Sequence, residues 1–207
     1  MAGHPAITGE YDDAYRAGRQ PWEIGGPQPA LAVVVEREVK GPKVLDAGCG
    51  TGDLAIALAL RGHDVTGFDV SGVAIETARR KAAAAGLAIH FEVQDATRVS
   101  LAAAPFDSVV DSGLLHSLPR LADVAVEDYV ALLPGLVAPG GQLFVLAVSA
   151  EAGQGFGVTE EFLRESFPKP VWAATRIERT TVTAEPGGEK LSFPALLLRA
   201  VRAGRPF

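Results

Sequence analysis

A glycine-rich loop that begins at an acidic residue is the part of this sequence best suited to chemistry. A short apolar run ends at Asp46, and glycines then occupy every second position before a predicted helix that starts at Asp53. The loop consists of Gly48, Cys49, Gly50, Thr51 and Gly52. Glycine adopts positive φ easily and lets a ligand approach the backbone. Because open α/β sheets bind ligands at the carboxyl ends of their strands, these residues are predicted to bind a cofactor.

The charge around the loop indicates which cofactor it binds. In the dinucleotide fingerprint G-x-G-x-x-G, the third glycine stands where the helix begins and the pyrophosphate binds. Here Asp53 takes that position, and its carboxylate would repel a pyrophosphate. Asp46 and Asp53 would not repel the ammonium and sulfonium groups of S-adenosylmethionine. The pattern therefore favours S-adenosylmethionine over NAD. Cys49 lies between two glycines and is interpreted as a small residue that fills a tight turn.

Acidic residues also end the next two predicted strands. Asp69 is placed to accept both ribose hydroxyls of an adenosyl group, since a carboxylate has two acceptor oxygens. Val70 would pack on the adenine, and Ser71 is predicted to cap the following helix. Asp95 would accept a hydrogen bond from the adenine amino group, and the amide of Ala96 would donate to a ring nitrogen.

The elements that position these residues alternate between short apolar runs and longer helical patterns. Candidate strands are Val44–Asp46, Asp64–Asp69, Ile89–Val93, Ser108–Ser112 and Gln142–Val148. Candidate helices are Asp53–Arg61, Gly72–Ala85, Val124–Leu133 and Thr159–Phe167. The strands are nearly all apolar, which is typical of a parallel sheet covered on both faces. Two final strands, Trp172–Ala184 and Leu191–Arg202, are predicted to form an antiparallel hairpin.

Length and composition predict one cytoplasmic domain of 207 residues, with an N-terminal helical segment over 1–40 and a core over 43–207. Helices are expected at Tyr11–Arg19 and Ala30–Lys40, on either side of a Pro- and Gly-rich stretch. The net charge of −6 and the lack of a basic run argue against nucleic acid or an anionic membrane as partner. No signal peptide or membrane span is found, and one cysteine suits a reducing compartment.

From Lys43 to Val148 the sequence resembles the class I S-adenosylmethionine-dependent methyltransferases. The resemblance rests on VLDAGCGTG, the acidic strand end at Asp69, QDAT, FDSVVDSGLLHSL and LLPGLVAPGGQLFVL. It implies a Rossmann-like three-layer α/β sandwich with a mostly parallel seven-stranded sheet in the order 3-2-1-4-5-7-6. The stretch PWEIGGPQPAL is similar to bacterial thiopurine- and tellurite-type enzymes and to small methyltransferases of heterocycles. In that group an N-terminal Trp closes over the cofactor and the acceptor, and Trp22 would be that residue.

The same resemblance places the methyl acceptor beyond the fourth strand. His116 is the candidate general base there, because its ordinary pKa is near neutrality; alternatively it is a wall of the pocket. Asp111 would touch the methionine moiety. The absence of an Asn/Asp-Pro-Pro-aromatic tetrapeptide argues against DNA bases as acceptors. An apolar acceptor pocket is expected from Leu114, Leu115, Leu118, Phe156, Phe162 and Trp172.

The predicted activity is methyl transfer to O, N or S of a small, aromatic or heterocyclic molecule, in detoxification or secondary metabolism. No metal site is expected. The chain would be a monomer or a homodimer. Two other functions stay open at this point, a regulator that binds S-adenosylmethionine without turnover and a nucleotide-dependent oxidoreductase.

Overall fold

The computed structural model describes residues 5–118 and 124–204. The helices within these ranges are α1 (Pro5–Arg16), α2 (Pro29–Arg37), α3 (Asp53–Leu60), α4 (Gly72–Ala84), α5 (Leu114–Ser117), α6 (Ala125–Leu136) and α7 (Glu160–Ser166). The strands are β1 (Lys43–Ala47), β2 (Asp64–Asp69), β3 (His90–Val93), β4 (Phe106–Ser112), β5 (Val137–Val148), β6 (Trp172–Ala184) and β7 (Leu191–Arg202).

The strands form one seven-stranded sheet in the order β3-β2-β1-β4-β5-β7-β6, which confirms the predicted order. Strands β1 to β5 run parallel, and β7 lies antiparallel between β5 and β6. Ala47 at the end of β1 pairs with Phe68 on one side and Asp111 on the other, and Asp69 pairs with Val93. The carboxyl ends of β1 to β4 therefore lie at the same edge of the sheet.

Successive side chains of the central strands pack into two hydrophobic cores, one on each face of the sheet. Val44 and Val110 are fully buried against α2, α3 and α4, whereas Leu45 and Val109 are fully buried on the face that carries α6 and α7. Successive residues of a strand point to opposite faces, so covering both faces requires apolar residues at nearly every position. This explains the continuous apolar runs of the sequence.

Local chemistry sets the start of α4. Ser71 is the N-cap, and its hydroxyl accepts a hydrogen bond from the amide of Ala74 at 3.1 Å. The predicted capping role of Ser71 is confirmed.

The largest differences from the sequence-based expectation lie in three places. The first helix spans Pro5–Arg16 instead of Tyr11–Arg19, because Pro5 can start a helix that weak helix formers then continue. β5 begins at Val137, so the Pro-Gly-Gly turn lies inside the strand, beside a register shift between Phe106 and Ser108. The short α5 follows Gly113, whose φ of 100° turns the chain abruptly out of β4.

No helix within the described residues combines the length and the apolar character needed to cross a bilayer.

Candidate functional site

A cavity of about 530 Å³ lies over the carboxyl ends of the parallel strands. Its floor is the glycine loop with the ends of β1, β2 and β4, and its roof is the N-terminal segment between α1 and α2. The tip of the β6–β7 hairpin and the chain after β5 form one wall. The volume is in the range of cofactor and small-molecule sites.

Two of the three loop glycines are required by packing within the protein. A β-carbon on Gly48 would lie 2.9 Å from Cβ of Leu114, at the start of α5. A β-carbon on Gly52 would lie 2.9 Å from Cβ of Ala78 on α4. Gly48 lines the cavity, and Gly52 lets α4 approach the loop closely.

Gly50 is the loop glycine that meets the N-terminal segment. A β-carbon there would come within 2.7 Å of Oε1 of Glu23 and 2.9 Å of the Tyr15 hydroxyl oxygen. The sequence predicts that a ligand approaches the backbone here. In the structure the side chains of Glu23 and Tyr15 approach Gly50 closely. Cys49 lines the cavity beside it, and burial raises the pKa of its thiol well above the ordinary value. The thiol is therefore not an activated nucleophile, in keeping with its predicted role as a small turn residue.

Asp69, at the end of β2, connects the loop to the start of α4. Its Oδ2 accepts a hydrogen bond from the Gly50 amide at 2.9 Å, and its Oδ1 accepts one from the Ser71 amide at 2.9 Å. Burial raises the pKa of Asp69 to about 6, although these two amides oppose the rise. A carboxylate offers about four lone-pair sites, so each oxygen can accept a further bond. Val70 lines the cavity next to it.

Asp46 is a buried carboxylate at the cavity floor. The residue is 1% exposed, and neither carboxylate oxygen has a hydrogen-bond partner of normal geometry in the described residues. Burial raises its pKa to about 8, the nearby Ala55 amide opposes this, and the charges of Asp69 and Asp111 raise the pKa further. Ionisation of such a group becomes favourable when a cation enters the cavity.

Asp95 and Asp111, the other two predicted acidic residues, differ in their access to the cavity. Asp95 lines it together with Ala96, and its Oδ1 accepts bonds from the amide and hydroxyl of Thr97. Asp111 lies below, where Oδ1 accepts from the Leu114 amide at 2.8 Å and burial raises its pKa to about 7. The carboxylate of Asp111 thus holds the start of α5 and is not among the residues that line the cavity.

The N-terminal segment is fastened over the cavity near both of its ends. Asp12 accepts hydrogen bonds from the Ser71 hydroxyl at 2.6 Å and from the Val73 amide at 3.3 Å, which ties α1 to α4. The amide side chain of Gln28 pairs with the backbone of Thr183 through bonds of 2.9 and 2.8 Å, which ties the other end to the hairpin. Between these points Trp22 lines the cavity.

An aromatic cluster of the roof was not predicted. The indole nitrogen of Trp22 donates a hydrogen bond to the Tyr15 hydroxyl at 3.2 Å, and both Tyr11 and Tyr15 contact the indole edge-on. Tyr11, Tyr15 and Glu23 all line the cavity. The spacing of Tyr11 and Tyr15, one helical turn apart, was a usable signal, whereas nothing in the sequence points from Glu23 to the loop.

The far half of the cavity is largely apolar and surrounds His116. Its apolar lining consists of Leu114, Leu118, Phe156, Val182, Leu191 and Phe193. The His116 ring stacks on Phe156 with centroids 5.8 Å apart, and its Nδ1 accepts a hydrogen bond from the Val148 amide at 3.3 Å.

Three residues expected in this apolar pocket lie elsewhere. Leu115 is fully buried in the core, Phe162 packs against the same core, and Trp172 stands edge-on to Phe167 beneath the sheet. Those assignments were wrong, because an apolar residue type does not reveal whether a side chain faces the core or a cavity.

The cavity fits S-adenosylmethionine on its own chemistry. Its cofactor half has a carboxylate without a hydrogen bond of normal geometry at Asp46, acceptor capacity at Asp69, and the aromatic residues Tyr15 and Trp22. Carboxylates and aromatic faces both favour a cation. No group of three or more residues within the described ranges is arranged to hold a metal ion.

Comparisons with known proteins agree with this chemistry. Residues 44–141 match the methyltransferase domain family. The chain is 36% identical over 137 residues to the 2-heptyl-1-hydroxyquinolin-4(1H)-one methyltransferase of Mycobacteroides abscessus, a match covering 66% of this chain and 59% of that protein. It is 38% identical over 113 residues to the ubiquinone biosynthesis O-methyltransferase of Methylocella silvestris, covering 55% and 42%. The chain thus spans about half the length of these curated relatives.

A solved structure extends the similarity to nearly the whole chain. It belongs to work on the conversion of a disulfide bond into a thioacetal group during echinomycin biosynthesis. Its TM-score is 0.82 at 31% identity, over 97% of this chain and 93% of that one. The chain belongs to the class I S-adenosylmethionine-dependent methyltransferases, and its cavity lining fits that cofactor.

Proposed function

We propose that this protein transfers a methyl group to an oxygen atom of a small, flat and largely apolar heteroaromatic molecule, in detoxification or secondary metabolism. The observation that carries the proposal is the apolar half of the cavity, which surrounds the polar ring of His116. The described lining of that half suits a ring system that carries one hydroxyl group. One relative is named for a hydroxyquinolinone and another as an O-methyltransferase of ubiquinone biosynthesis, which supports this acceptor class and oxygen as the target atom.

Separate groups of cavity residues would bind the cofactor and align the acceptor. Asp69 would hold the ribose hydroxyls, Asp95 and Ala96 the adenine, and Gly48 and Gly50 the amino-acid part. Bound there, S-adenosylmethionine supplies a methyl carbon activated by its sulfonium. The protein must then align the acceptor oxygen with that carbon and exclude water. The roof from Tyr11 to Gln28 serves the second purpose, because it covers the cavity between its two fastenings.

An acceptor panel tests the proposal. The purified protein, incubated with labelled S-adenosylmethionine, is expected to methylate 1-hydroxyquinolin-4-ones and phenols at oxygen. A dithiol and an N-heterocycle without hydroxyl are the comparison acceptors, and preferential methylation of either would overturn the choice of oxygen. Binding of S-adenosylhomocysteine without turnover on any acceptor would favour the regulator.

The hydrogen bond to Val148 changes the role proposed for His116. Because Nδ1 accepts from a backbone amide, the neutral imidazole carries its proton on Nε2. In that tautomer Nε2 donates a hydrogen bond and cannot accept a proton, because it already carries one. His116 would therefore orient the acceptor oxygen by donating a hydrogen bond to it, and the acceptor would bind as the anion that remains after its proton has been lost to water.

His116→Ala is expected to raise KM for the acceptor more than it lowers kcat. An anionic acceptor loses its charge as the methyl group arrives, so a hydrogen bond to that oxygen is stronger in the ground state than in the transition state. The lost bond to a charged group predicts a rise in KM of roughly 10- to 100-fold. Steady-state kinetics with acceptors of different acidity measures this.

His90→Ala is the matched control, because it removes the same ring from an exposed site at the start of β3, where the side chain is 65% accessible. Its KM is expected to change less than about threefold. A fall in kcat confined to weakly acidic acceptors in His116→Ala, with KM unchanged, would restore the general-base role.

A further inference from the structure

Glu23 reaches from the roof of the cavity to the glycine loop. Its Oε1 accepts a hydrogen bond from the Thr51 amide at 3.1 Å, and its Oε2 accepts a short one from the Thr51 hydroxyl. The same carboxylate lies against Gly50, where a β-carbon would come within 2.7 Å of Oε1. Glu23 thus bonds the roof directly to the loop.

Lys81 of α4 keeps this contact in one orientation. Its ammonium group donates a hydrogen bond to the Thr51 hydroxyl oxygen at 2.9 Å and also pairs with Asp53. Because an ammonium group only donates, the Thr51 hydroxyl must direct its own hydrogen elsewhere, and Glu23 receives it. Thr51 itself does not line the cavity, so its expected cofactor role becomes an indirect one.

The acidic groups around Glu23 form a cluster of negative charge at the cavity that favours a cation. Glu23, Asp46 and Asp69 all line the cavity and repel one another electrostatically. Asp46 is 1% exposed, and neither of its carboxylate oxygens has a hydrogen bond of normal geometry within the described residues, so the cluster includes a buried acceptor at the cavity.

The geometry points to Glu23 as the residue that receives the α-ammonium group of the cofactor, and so couples closure of the N-terminal segment to cofactor binding. The inference rests on S-adenosylmethionine as the cofactor. With the adenosyl group at the ends of β2 and β3 and the acceptor at α5, the amino-acid part of the cofactor lies over Gly48 and Gly50, within reach of Glu23. Two bonds from Thr51 leave the carboxylate with spare lone pairs for an ammonium group.

The test is Glu23→Gln, which keeps the size and acceptor oxygen of the side chain but removes its charge. Affinity for S-adenosylhomocysteine, measured by calorimetry, is expected to fall roughly 10- to 100-fold, the scale of one hydrogen bond to a charged group. Affinity for 5′-methylthioadenosine, which lacks the ammonium and carboxylate groups, is expected to stay within about twofold, since no charged contact is lost. Limited proteolysis of the segment before Gln28 reports whether the roof still closes.

Glu76→Gln is the matched control, because it removes the same charge from an exposed site on α4 where the side chain is 75% accessible. Equal losses for both ligands in Glu23→Gln would mean that Glu23 only holds the roof, and no loss for either would mean that it contacts no ligand. Each result overturns the inference. Failure of the wild-type protein to bind S-adenosylhomocysteine would instead count against the proposed function.

Discussion

Gly50→Val is expected to lower affinity for S-adenosylhomocysteine by at least about 100-fold while the protein still folds. Gly50 has φ of 51°, in the left-handed region that a β-branched residue adopts only with strain. Its added β-carbon would also displace Glu23 and Tyr15, which lie within 2.7 and 2.9 Å of that position. The mutation therefore removes the roof from the loop and places a side chain where the ligand approaches. Calorimetry for binding and circular dichroism for folding measure the two effects.

Gly62→Val separates strain from crowding. Gly62 has φ of 88°, but a β-carbon there meets no atom within 4 Å. This variant is expected to lose about 1–3 kcal/mol of folding stability to backbone strain and to keep normal cofactor affinity. If both variants lost cofactor affinity equally, close contact at Gly50 would not be the cause.

The ligand-free protein is expected to be more stable near pH 5 than near pH 8. Burial raises the pKa values of Asp69, Asp111 and Asp46 to about 6, 7 and 8. An acid whose pKa rises on folding stabilises the folded state fully below its unfolded pKa, near 4, and loses that stability as pH rises through the folded pKa. Each unit of pKa difference between the folded and unfolded states corresponds to roughly 1.4 kcal/mol in the free energy of unfolding. The melting temperature should therefore fall by about 5 °C or more between pH 5 and pH 8.

Cofactor binding should oppose that loss. A bound cation favours the ionised forms of Asp46 and Asp69, so S-adenosylmethionine, which carries a sulfonium and an ammonium group, should raise the melting temperature more at pH 8 than at pH 5. Asp69→Asn is expected to flatten the dependence between about pH 4 and 6. Asp64→Asn, at the exposed opposite end of β2, serves as control and should leave it unchanged. A thermal stabilisation independent of pH would contradict cation binding at these carboxylates.

The elements built from contiguous sequence were predictable. β1, the glycine loop and α3 follow one another within 18 residues, and their apolar runs and glycines report the local conformation directly. The hairpin was found with its observed bounds, because long β-rich segments flank a turn that contains two glycines. Strand order followed from the family resemblance and not from periodicity. The predicted strands are all short and apolar, so their sequences do not indicate which of them are neighbours in the sheet.

The roof of the site was less predictable because distant residues build it. Gln28 and Thr183 are 155 positions apart, and Glu23 and Thr51 are 28 apart. A glutamate before a Gly- and Pro-rich stretch has the sequence signature of a solvated loop residue, and only the folded arrangement gives it a buried partner. Trp22 was found by resemblance, whereas the role of Asp111 in holding α5 required the backbone of that turn.

The order in which the strands are synthesised determines when the roof can be fastened to the hairpin. β7 is made after β6 yet lies between β5 and β6, so β6 has no neighbour in the sheet until β7 has emerged. Thr183 and Glu185, which bind Gln28 and the Pro21 carbonyl, stand at the tip of that late hairpin. A nascent chain with β1 to β5 already folded would therefore have an open cavity over its glycine loop. Cofactor can be enclosed only when the two remote parts of the chain meet, which links binding to completion of the whole sheet.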